Sequence, residues 1–181
     1  MEYLIGILVI LILLAILLYN RLITLKNEVR NAWATIETQL QRRYDLIPNL
    51  VETVKGYMKH EKDVLESVTK ARTAFLNAGS VKETAAAENM MAGALKSLFA
   101  VSESYPDLKA SQNFLMVQEE LAGTENKVAY ARQRYNNSVM AYNTAIQKFP
   151  TNIFANLMNF KKEDYFEVEN EEARQAVKVK F

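Results

Sequence analysis

His60 is the chain's only histidine, and it stands beside Glu61 and Asp63. An imidazole next to carboxylates is half of a metal site. Zinc takes three or four protein ligands, and the chain has no second histidine and no cysteine to complete such a set. His60 is therefore read as a surface or packing residue. The same shortage leaves no Ser-His-Asp arrangement, because nothing in the spacing brings a serine to His60. Di-iron bundles need a Glu-x-x-His motif from each of two helices, whereas Glu61 follows His60 directly. Asn136-Asn137-Ser138 fits the glycosylation pattern but falls in mid-helix and is set aside. No phosphate-binding loop is present. The expectation is a non-enzyme with no cofactor, no metal and no small-molecule substrate.

The polar residues that remain of interest sit where apolar ones are expected. Arg42, Arg43, Asp45 and Pro48 fall in a helical stretch after the N-terminal apolar run, and Glu125 and Arg132 fall on the apolar stripe of a later helix. Two readings stay open. In one, Glu125 and Arg132 meet Arg42, Arg43 or Asp45 in a buried network that sets helix register. In the other they lie at the rim, and the run from Arg42 to Leu50 is a partner surface. A third role for Arg42 and Arg43, with Arg21, Lys26 and Arg30, is contact with anionic lipid headgroups.

The elements that must position these residues begin with an anchor. From Tyr3 to Tyr19 every residue is apolar, aromatic or glycine. Such a run is at the short end of a spanning helix. Its members include Leu4, Ile5, Leu8, Ile12, Ala15 and Leu18, with Tyr3 and Tyr19 placed for the two interfaces. A cleaved signal is the competing reading. It wants a basic start and a small-x-small cleavage site, and here Glu2 precedes the run and no such site follows Ala15. Arg21, Lys26 and Arg30 follow the run while no Lys or Arg precedes it. The positive-inside rule then places the body in the cytoplasm. Gly6 has no small residue four positions away, so the small-xxx-small pairing motif is absent.

Beyond Asn20 apolar residues recur at steps of three and four: Leu22, Leu25, Val29, Ile36, Leu40, then Ile47, Leu50, Val54, then Val68, Ala71, Phe75. This predicts one long helix continuing from the anchor to Gly79, kinked near Asp45 to Pro48 because proline lacks a donor and crowds the preceding turn. Ser80 and Glu83 have the spacing of a capping box. The second helix runs to about Ser104, with small residues at Ala85, Ala86, Ala87, Ala92, Gly93 and Ala94 that permit close approach of a neighbour, and Tyr105-Pro106 breaks it. In the third helix Phe114, Leu121, Val128, Tyr135, Tyr142 and Phe149 fall every seventh residue, a heptad seam. Pro150 ends it and Thr151 caps a short fourth helix. The predicted fold is all-α: a transmembrane helix continuous with an up-and-down bundle of three long helices and a short fourth. The segments are an anchor over 1–20, a body over 21–160 and an extended tail over 161–181.

Composition agrees. A net charge of +1 gives no support to nucleic-acid binding. Five glycines and three prolines are too few for the turns of a sandwich or barrel. The absence of cysteine excludes disulfides, thiolate metal sites and lipid attachment through an N-terminal Cys.

Several segments resemble the bacterial LemA family: Asn27-Glu28-Val29 with Ala32-Trp33, the run Gln39-Leu40-Gln41-Arg42-Arg43-Tyr44-Asp45-Leu46-Ile47-Pro48-Asn49-Leu50-Val51, and Val54-Lys55-Gly56-Tyr57. Glu120-Leu121, Gly123-Thr124-Glu125-Asn126, Tyr135-Asn136, Tyr142-Asn143, Phe149-Pro150 and Tyr165-Phe166-Glu167 agree. The resemblance implies a membrane-tethered helical bundle, grouped with bromodomain-like four-helix folds, without established catalytic residues. One branch of the family is associated with magnetosome membranes, and family genes often lie near HtpX-type membrane proteases. The expected role is a scaffold or adaptor at the cell membrane. Its partners would be the lipid bilayer, further copies of itself, or other membrane proteins such as an HtpX-type protease.

Overall fold

A computed structural model describes residues 1–58 and 60–167. Among them the regular elements are helices: α1 (Glu2–Asp45), α2 (Ile47–Lys55), α3 (Lys62–Leu76), α4 (Val81–Ser102), α5 (Pro106–Lys109), α6 (Gln112–Gln147) and α7 (Thr151–Leu157). The chain divides into two compact units. One holds Met1–Arg42 with Thr124–Tyr165; the other holds Arg43–Gly123 with Phe166 and Glu167.

In the first unit α1 is unbroken over its 44 residues, a length of about 66 Å at the α-helical rise. Its first part contains an 18-residue stretch apolar enough to cross a membrane, with none of it buried. Below that stretch α1 turns amphipathic. Leu22, Val29, Ala32, Ile36 and Leu40 are buried, and α6 buries Val128, Ala131, Tyr135, Val139, Tyr142 and Ile146. Both sets recur at three, four and seven, the spacing of one helix face. The Trp33 and Tyr135 rings meet at 5.3 Å. Tyr19, nearer the N-terminus, meets Phe160 beyond the end of α6, so α1 and α6 run antiparallel.

The heptad seam stops at Tyr142. Phe149 is 80% exposed, because α6 ends at Gln147 and the chain turns before the next repeat can face inward. Thr151 is the first residue of α7 and is buried, so Pro150 occupies the cap position that the sequence suggested for it. Asn159 leaves α7 with φ 56°, a left-handed conformation that asparagine tolerates and that commonly closes a helix. Phe160 N–H then donates to the Ala155 carbonyl at 2.9 Å.

In the second unit the anticipated long first helix is interrupted twice. The break at Leu46 falls at the expected place, with Pro48 in the first turn of α2 where its missing N–H costs nothing. The break after Lys55 was not expected. Gly56 and Tyr57 form a turn, Met58 is buried beneath it, and α3 starts at Lys62. Glycine is a poor helix residue, and the turn lets α3 fold back until Phe75 reaches Tyr44. Periodicity conceals this reversal, since both helices carry the same apolar step.

α4 is fixed at its start as the capping box required. Ser80 Oγ accepts from Glu83 N–H at 3.2 Å, while Glu83 Oε2 accepts from Gly79 N–H at 2.7 Å, one residue earlier than the usual return bond. Its buried face is Thr84, Glu88, Met91, Leu95, Leu98 and Ser102, with Ala85, Ala87 and Ala94 beside it. Those alanines let α3 pack closely; Ala86, Ala92 and Gly93 instead face outward. The Tyr105 hydroxyl donates to Glu61 at 3.3 Å and Phe99 meets Phe114 edge-on. These contacts tie the end of α4 to the starts of α3 and α6.

Candidate functional site

The polar centre of the second unit is a buried ion pair. The Arg43 guanidinium donates to Glu88 Oε1, and both side chains are 5% exposed. Arg43 is there because the last turn of α1 faces inward at positions 40, 43 and 44. Tyr44 joins it: its hydroxyl donates to Glu88 Oε2 at 3.2 Å, its carbonyl accepts from Arg72 Nε at 3.4 Å, and its ring stacks on Phe75 at 3.9 Å. Burial, reinforced by the Glu88 carboxylate, holds the Tyr44 hydroxyl far above the ordinary tyrosine range. It is therefore a fixed donor at neutral pH, not an acid–base group. A paired charge of this kind adds little net stability but makes misregistered packings expensive, because slippage would strand a buried charge.

The sequence offers Glu125 and Arg132 as partners for Arg42, Arg43 or Asp45 and does not single out Glu88. Glu88 was missed, although it left a signal: it is the lone carboxylate on the α4 stripe formed by Thr84, Met91 and Leu95. Glu125 is exposed and Arg132 half-buried, with Gln118 exposed as well. These three take rim positions on α6, and the inward places next to them go to Thr124 and Ala131. Arg42, Asp45 and Pro48 are exposed too.

The run from Arg42 to Leu50 thus has two faces. Arg43, Tyr44, Ile47 and Leu50 point in. The outward face of the second unit includes Leu46 and Asn49, which line an open groove of about 430 Å³. Glu52 and Thr53 extend that wall, and Asn113, Met116, Val117 and Glu120 of α6 form the other. The groove mixes apolar side chains with two carboxylates and two amides, a surface suited to a protein segment.

In the first unit a strap follows α7. Residues 160–165 have no regular secondary structure, and 161–164 are held by side chains of α6. Tyr142 donates to the Lys161 carbonyl at 2.9 Å and Tyr135 to the Asp164 carbonyl at 2.8 Å. Asn143 makes a two-way bond with the Glu163 backbone, giving Nδ2–H to its carbonyl at 2.9 Å and taking its N–H at 3.0 Å. Burial, with the nearby Glu163 and Asp164 carboxylates, pushes the Tyr135 hydroxyl up to about 12, and burial followed by Glu163 raises Tyr142. Tyr135, Tyr142 and Asn143 of α6 therefore read the backbone of the strap. The expected tail begins with this strap; residues 168–181 lie outside the described part.

The anchor residues Tyr3, Leu4, Ile5, Leu8 and Ile12 are exposed, and Ala15 and Leu18 are partly covered. His60 is exposed in the turn before α3, and among the described residues no group of three His, Asp or Glu side chains is arranged to hold a metal.

A profile of the LemA family matches residues 32–181. The chain belongs to the LemA family. It is similar to Magnetosome protein MamQ 2 of Paramagnetospirillum magneticum, at 25% identity over 175 residues covering 82% of this chain and 64% of that one. Magnetosome protein MamQ of Magnetospirillum gryphiswaldense is 24% identical over 174 residues, with coverages of 82% and 64%. Protein LemA of Metamycoplasma hominis is 30% identical over 141 residues, covering 75% of this chain and 63% of that protein. This LemA-family chain thus spans less than two thirds of the length of these relatives. The family match includes the run around Arg43, the Tyr-Asn pairs of α6 and the strap.

Proposed function

We propose that this chain is a single-pass, membrane-anchored helical scaffold or adaptor that organises partners at the bacterial membrane and performs no catalysis. The observation that carries this reading is the continuity of α1. One unbroken helix bears both the exposed apolar stretch and the stripe that packs the first unit. A first unit joined to its anchor without a hinge is suited to tethering the chain at the bilayer surface. The groove of the second unit, lined by Leu46, Asn49, Met116 and Glu120, is the surface we assign to a partner. Partners of suitable chemistry are membrane proteins, including an HtpX-type protease, or further copies of this chain. Arg21, Lys26 and Arg30, all after the apolar stretch, favour a cytoplasmic body.

A photo-crosslinking side chain at Asn49 or Met116, in the full chain in its own membranes, tests the reading. Discrete adducts from these positions, absent from exposed Arg134 on α6, are the expected result. A strictly monomeric chain with no adduct from the groove would overturn it. Membrane shaping by an oligomer is the second reading, favoured by the similarity to magnetosome proteins; adducts between copies, with vesicles deformed by the full chain, would select it.

A further inference from the structure

We infer that α7 is a second membrane contact: an interfacial helix whose exposed apolar face enters the headgroup region of the same bilayer that α1 spans. The inference rests on the reading of α1 as a membrane span and names a site on the body that this reading does not require.

Three observations of the first unit carry it. The first is an apolar face with nothing of the unit over it. Ile153 and Leu157, spaced by four on α7, are 56% and 76% exposed, with Met158 at 54% beside them, and Phe149 in the turn before the helix is 80% exposed. The opposite side of α7 is buried through Thr151 and Ala155, so the helix is docked in one orientation and this face is displayed outward. Single exposed apolar residues are ordinary; a row of four around seven helical residues is not.

The second is height. Tyr19 is the last residue of the apolar run, and its ring meets that of Phe160 at 6.2 Å. Leu157 is three residues from Phe160 and so within about 11 Å of it along the chain. The headgroup layer on each side of the hydrocarbon core is about 5–8 Å deep. With Tyr19 at the boundary, Phe160 lies beside that layer, and the end of α7 is within reach of it. Within the span only Ala15 and Leu18 are partly covered, as expected where the body comes down beside it.

The third is charge. Lys148 lies before α7, and Lys161 and Lys162 lie after it, all exposed; Lys26 stands over the Phe160 ring at 5.7 Å. Apolar side chains rimmed by lysines match the chemistry of an interfacial helix on an anionic surface. A protein partner would be an alternative occupant of the face, but the contact with the end of the span puts lipid there first.

The absence of cysteine makes the test direct. Ile10→Cys, Leu157→Cys and Glu125→Cys variants of the full chain each receive an environment-sensitive fluorophore. They are reconstituted in vesicles of phosphatidylethanolamine and phosphatidylglycerol with a nitroxide-labelled lipid as quencher. The expected result is that Ile10, inside the span, and Leu157, at the acyl–headgroup boundary, are both quenched, while Glu125 keeps its fluorescence. Quenching at Ile10 without quenching at Leu157 would overturn the inference and leave the span intact. No quenching at Ile10 would overturn the span reading, and with it the interfacial placement of α7.

Discussion

Removing the Glu88 carboxylate leaves Arg43 charged inside the second unit. Both side chains are 5% exposed, so water cannot replace the lost partner without opening the packing. Breaking a buried pair in this way costs about 3–5 kcal/mol. For a chain of this size each kcal/mol lowers the melting temperature by roughly 2–4 °C, so Glu88→Ala should melt about 6–20 °C below the parent. Far-UV circular dichroism of the full chain in detergent reads this, since the α1 span does not melt with the body. The converse substitution separates pairing from packing. Arg43→Met combined with Glu88→Leu removes both charges and should recover most of the loss, because an apolar replacement of a buried pair is often neutral or stabilising. Tyr44 sharpens the test: Tyr44→Phe keeps the ring stack on Phe75 and loses only the donor to Glu88, for about 1.5–3 kcal/mol. A Glu88→Ala loss under about 1 kcal/mol would refute the reasoning. So would a double variant as unstable as the two singles added together.

Other consequences are smaller. Ser80→Ala should cost about 1 kcal/mol through the lost α4 cap, read by chemical denaturation. Asn143→Ala removes both bonds to Glu163 and should cost about 1–3 kcal/mol, with hydrogen exchange rising over 160–165 before the rest of the body. Alkali should unfold the protein by a defined route. Tyr135 is raised to about 12, and Tyr44 and Tyr142 are raised as well. The unfolded chain therefore loses these protons first, as pH rises past about 10. Stability present below that pH falls as it climbs towards 12, and a pH titration of the melting temperature that stays flat there would contradict these environments.

Helical periodicity revealed the anchor, the stripes of α1 and α6 and the caps around Ser80, because each is a local pattern. Folding back was invisible where it depended on packing. Gly56 looked like any glycine in a long apolar series, and only the contact of Phe75 with Tyr44 shows why the chain reverses there. Phe149 matched the heptad and fell outside it, since a periodic sequence does not report where its helix stops. The candidate polar network was half legible. Arg42 and Arg43 are adjacent in sequence, yet one is exposed and the other buried, a distinction fixed by rotation of the last turn of α1. Glu88, which pairs with Arg43, sits in an alanine-rich stripe where small residues dominate the pattern. The strap was legible only as the start of an extended tail, because its partners are backbone groups, which carry no side-chain signature.

The central claim is that α1 crosses the bacterial membrane and holds the body on the cytoplasmic side. One cysteine at Asn77, exposed between α3 and α4, is the place to test it, since Ser80 is needed as the α4 cap. Intact cells are treated with a membrane-impermeant thiol reagent and compared with lysed ones. Labelling only after lysis is the predicted result. Labelling of intact cells would contradict the orientation and place the body on the outer face.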